Sequence, residues 1–106
     1  MDKSTHRKLA EAYTRKADAL TDIWNAMHDE ATARHGGGPP WKKTNVPEGS
    51  RYLAGAAWSH WPAETRSDLL KREQEIHEAR NKAREHYLKS GGRSWMKYYY
   101  EHSRTR

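Results

Sequence analysis

Residues 4 to 33 read STHRKLAEAYTRKADALTDIWNAMHDEATA, and no glycine or proline interrupts them. Leu9, Tyr13, Leu20, Ile23, Trp24, Met27 and Ala31 recur at spacings of three, four and seven, with Ala10 and Ala17 on the same side. That period belongs to an amphipathic α-helix with one face turned inward. The stretch HGGGPPW at 35 to 41 ends it, because three glycines release the backbone and two prolines forbid continuation. A helix over about 4 to 34 therefore sets the fold class.

The chain then runs through KKTNVPEG to Gly49, an extended connector at 35 to 49 with turn residues and little to bury. Ser50 is placed to cap a short helix over 50 to 61, in which Leu53, Ala57 and Trp61 share a side. Pro62 suits a helical first turn and Glu64 the positive end of a helix dipole, so a second long helix is expected over 62 to 89. Its apolar seam reads Leu69, Leu70, Ile76, Ala79, Ala83, Tyr87 and Leu88, with nothing apolar between Lys71 and Glu75. SGG at 90 to 92 is a stop, and Ser94 is placed to cap a tail helix over 94 to 103 within a basic aromatic tail at 93 to 106. The expected fold is all-α: an antiparallel helical hairpin of two long helices with two short accessory helices, in a single small domain of 106 residues.

Composition narrows the function classes. Leu, Ile and Val number nine and Phe is absent, whereas Trp and Tyr number eleven. The interior must draw on alanines and on rings with polar tips, which favour half-wet places and interfaces. Mean hydropathy is −1.29. With no cysteine, disulfides and thiolate metal sites are excluded. No apolar run approaches the ~20 residues of a membrane span, and the N-terminus lacks the apolar centre of a signal peptide. A soluble cytoplasmic protein is expected.

Chemistry-bearing patterns are sparse. The seven histidines His6, His28, His35, His60, His77, His86 and His102 show no i, i+4 pair and no Glu three residues before a His, so no metal site and no cofactor is expected. The carboxylates at Asp29, Glu30, Glu73, Glu75 and Glu78 lie among lysines and arginines, where helical ion pairing accounts for them. Nucleophile-elbow, P-loop and dinucleotide patterns are absent, so an enzyme is not expected.

What remains is the tail, SWMKYYYEHSRTR at 94 to 106. On a helix Trp95, Tyr99 and His102 share one side with Tyr98 beside them, while Met96 and Tyr100 point elsewhere. One packing surface cannot take both sets, so at least one ring is left for solvent or a partner. The net charge is +6, and residues 91 to 106 hold +3 of it while residues 1 to 34 balance to zero. The residues expected at a partner are Arg93, Trp95, Lys97, Tyr99, Tyr100 and Arg104, with Trp41, Lys42 and Lys43 as a second patch. Arginines and rings together suit an acidic protein surface. The leading expectation is a non-enzymatic interaction protein that docks on a larger protein and modulates or blocks it. The composition, rich in Ala, Arg, Trp and His, resembles that of small proteins of high-GC bacteria and their phages. The competing expectation is nucleic-acid binding through the same tail, by stacking and phosphate contact. A homodimer completing the thin seam of residues 62 to 89 is a third.

Overall fold

A computed structural model describes residues 1–36 and 61–103. It contains α1 (Lys3–His35), α2 (Ala63–Lys89) and α3 (Trp95–His102), with no strand among the described residues. The all-α class stands, and α1 and α2 pack heavily on each other. The expected helix at 50 to 61 lies outside the described residues apart from Trp61. Among the described residues no helix is long and apolar enough to cross a membrane.

The helix ends follow local chemistry. Asp2 caps α1: its carboxylate accepts the Thr5 amide at 2.7 Å and its carbonyl the His6 amide at 3.1 Å. The Thr5 hydrogen bonds hold the Asp2 carboxyl below its ordinary value. Gly36, at φ +95°, closes the other end through its amide on the Thr32 carbonyl. At the end of α2 the amides of Gly91 and Gly92 bond the carbonyls of Leu88 and Tyr87, with Gly91 at φ +89°. This is the Schellman arrangement that SGG allows. Ser94 stands at the start of α3 with extended backbone, and its carbonyl accepts the Tyr98 amide at 3.1 Å. Its side chain makes no capping bond, contrary to the role expected of it.

The inward faces follow a heptad, spaced alternately four and three, that reading apolar residues alone does not reveal. On α1 it runs Ala10, Thr14, Ala17, Thr21, Trp24, His28, Ala31, His35. On α2 it runs Arg66, Leu69, Glu73, Ile76, Arg80, Ala83, Tyr87, and every position in both series is buried or half-buried. Each series alternates a small or apolar residue with a polar one. Glu73 therefore fills the gap between Lys71 and Glu75, while Leu70 and Leu88 of the expected seam, and Ile23 of α1, lie exposed. Thr14 and Thr21 tolerate the inward position because each hydroxyl donates to the carbonyl four residues back, at 2.8 Å. Polar groups at such positions restrict register, since a shifted pairing would strand them.

The chain forms two compact units. In one, Met1–Asp22 and Glu75–Arg106, the buried cluster is Ala10, Tyr87 and Tyr98 with Trp95 against it. In the other, Ile23–Gln74, it is Ala31, Trp61 and Leu69 with Trp24 and Met27. There the Trp24 indole donates to the Leu69 carbonyl at 3.2 Å, joining α1 to α2 by a ring that also fills the core. Trp61 is 1% exposed and meets His28, at 5.5 Å between centroids.

Candidate functional site at the aromatic tail

The tail helix is seated by its middle. Tyr98 is buried, with its ring 4.3 Å from that of Tyr87 and 4.2 Å from that of His102, and Trp95 lies 6.0 Å from Tyr87. The Arg7 guanidinium of α1 stands over both tyrosines, 5.0 Å from the Tyr87 ring and 5.3 Å from that of Tyr98. Burial raises the Tyr98 phenol pKa above its ordinary value, and the Glu11 carboxylate adds to it. The Thr14 hydroxyl lies beside that phenol and donates its own proton to the Ala10 carbonyl at 2.8 Å.

Both ends of α3 are held. At its start, Gly92 packs so closely on Tyr87 that a Cβ there would sit 2.3 Å from a ring carbon, so any larger residue displaces the ring. At its end, Ser103 donates its amide to the Tyr99 carbonyl at 2.8 Å and its hydroxyl to the buried Asp18 at 2.8 Å. His102 places Nδ1 2.9 Å from the Tyr98 carbonyl, which fixes the proton on that nitrogen.

Seating one face leaves the other out. Met96 and Tyr100, one turn apart, are 54% and 48% exposed, and Arg93 and Lys97 are exposed beside them. Of the residues expected at a partner, Arg93, Lys97 and Tyr100 therefore lie on the open side. Trp95 and Tyr99 are half-buried, Tyr99 under the Arg80 guanidinium at 5.5 Å. Trp41, Lys42, Lys43 and Arg104 lie outside the described residues. A shallow depression of about 420 Å³ beside the tail is lined by Arg7, Glu11, Lys97, Glu101 and His102 over Tyr87 and Tyr98. Its charges are mixed, and no group of three or more His, Cys, Asp or Glu among the described residues could hold a metal ion.

Sequence reasoning missed a second feature of the same unit. His6 and His86 meet Nδ1 to Nδ1 at 2.9 Å, with centroids 5.2 Å apart. Tyr13 lies parallel to His86 at 5.7 Å. The two histidines are 80 residues apart, and no local pattern could have paired them. Comparison with protein-family models, with curated proteins and with solved structures gives no match to this chain.

Proposed function

We propose that this chain is a small non-enzymatic interaction protein of the cytoplasm that docks on a larger protein and modulates or blocks it. In this reading α1 and α2 form an antiparallel hairpin that serves as the scaffold, and α3 is the contact element. The observation that carries it is the two-faced tail: Tyr98 is buried while Met96 and Tyr100, on either side of it in the chain, stay open. A short helix held at both ends loses little freedom on binding, which favours a docking role. Arg93 and Lys97 beside the two open residues suit a partner with carboxylates around an apolar contact. Capture from a lysate by the tagged protein tests this. A specific partner lost in the double variant M96A/Y100A, with the fold unchanged by circular dichroism, is the expected result. Unchanged capture by that variant defeats the reading.

Nucleic-acid binding through the same tail is the second reading, supported by an exposed Tyr100 ring near Lys97 and the basic excess of residues 91 to 106. It requires oligonucleotide affinity that falls steeply with salt. Fluorescence titration with single-stranded and duplex oligonucleotides at two salt concentrations separates the readings.

A further inference from the structure

The His6–His86 pair stands where three elements that seat the tail converge. His6 belongs to the first turns of α1, directly before Arg7, whose guanidinium covers the Tyr87 and Tyr98 rings. His86 directly precedes Tyr87, the ring on which Tyr98, Trp95 and Gly92 all pack. On the same first turn, the Lys3 ammonium lies beside Gly91, in the turn that leads to α3. Holding His6 on His86 thus fixes the first turn of α1 against the end of α2, and with it the Arg7 lid on the tail's seat.

An Nδ1 to Nδ1 contact of 2.9 Å needs one proton between the two nitrogens. Two neutral imidazoles satisfy it, one as donor and the other as acceptor. A single imidazolium also satisfies it, donating to the neutral ring. Two imidazoliums cannot: both nitrogens carry hydrogens, the acceptor is gone, and two like charges face each other. The surroundings weight the balance. The N-terminal amine and Lys89 oppose added positive charge at His6, and Asp2 favours it. Glu85 lies near His86, and Tyr13 covers the His86 ring.

We infer that the His6–His86 pair is an acid-sensitive latch on the docking tail, closed while at most one of the two rings is an imidazolium and opened when both are. The inference rests on the docking role proposed for α3 only for its purpose, since the latch itself is a property of the lone protein. Burial, then the charge of His86, moves the His6 pKa down from the ordinary value of 6.5. The latch therefore stays shut at neutral pH, and acid opens it only below the ordinary imidazole value of 6.5.

The test uses the whole chain without any partner. Hydrogen exchange of the α3 amides is followed from pH 7.5 to 5, corrected for the intrinsic rate, while the His6 ring signals are followed by NMR. The wild type is expected to lose α3 protection as acid is added, in step with the change of the His6 ring signals. The variant H6N, whose amide keeps a hydrogen bond without titrating, is expected to hold α3 protection constant. H86N is the second variant and has the same expected result. If α3 protection in the wild type does not change over this range, or if both variants lose it as the wild type does, the latch is overturned. Partner capture at neutral pH is independent of that outcome. A tail that unlatches but captures nothing fails the docking reading alone, and one that captures a partner without unlatching fails the latch alone.

Discussion

The Ser103 hydroxyl donates to the Asp18 carboxylate at 2.8 Å across 85 residues of sequence, in a buried contact that ties the end of the tail helix to the middle of α1. Hydrogen bonds to charged groups contribute about 1.5–3 kcal/mol. Ser103→Ala is therefore expected to destabilise the protein by about that amount and to lower the thermal midpoint by several degrees. Chemical denaturation with an unchanged denaturant slope checks it. A loss within about 0.5 kcal/mol would place the anchor elsewhere.

Tyr98 and Tyr100 separate stability from contact. Tyr98→Ala removes a buried ring from the cluster with Tyr87 and Ala10, and large aromatic truncations of this kind cost about 3–5 kcal/mol. Tyr100→Ala alters a half-exposed ring and is expected to stay within about 0.5 kcal/mol of wild type. Thermal unfolding of the two variants side by side measures the contrast. Equal losses would mean that Tyr100 is part of the core.

Glycines 36, 91 and 92 predict graded costs. At Gly92 the added carbon of alanine would meet the Tyr87 ring at 2.3 Å, so the ring must move, and overpacking of this sort costs about 1–3 kcal/mol. At Gly91 and Gly36 there is room, and the cost comes from the positive φ alone, about 1–2 kcal/mol. Gly92→Ala should therefore be the most damaging of the three, and it should also change the Tyr87 ring signals by NMR.

Stability should fall on mild acidification. The folded pKa of His6 lies below the ordinary 6.5, so between those two values the unfolded chain holds more protons than the folded one. The contribution of His6 is then complete above pH 6.5 and is lost as pH drops through the lowered folded value. Denaturation midpoints measured from pH 7.5 to 5 should decline, and the decline should be shallower in His6→Asn. A midpoint independent of pH over that range in the wild type would contradict the sign.

Much of the helical frame is legible in the residues. The unbroken period from Leu9 to Ala31, the glycine stops and the alanines at 10 and 17 all mark what the structure forms, because each acts over one or two turns. The lateral order is not. Apolar character places Leu70, Leu88 and Ile23 in the seam, yet the strict four-three spacing through Glu73, Thr14 and Thr21 overrides it. A hydroxyl bonded back to its own helix hides polarity that a sequence scale counts as outward. Asp2 as the α1 cap is readable in principle from its residue type, although the apolar period alone points to a start at Ser4. In the tail, the separation of Met96 and Tyr100 from Trp95 and Tyr99 follows from helical spacing. That Tyr98 is the deepest ring does not, since it depends on Tyr87 and Arg7, brought in from elsewhere in the chain.

Tyr98 gives the protein an internal gauge. Its phenol resists ionisation while enclosed, so in alkali it should turn to phenolate later than it does in the unfolded chain. Ultraviolet absorbance during a base titration would then show a delayed fraction of the tyrosine signal. A colour change from one buried oxygen would report, without any added dye, whether the last helix keeps its berth.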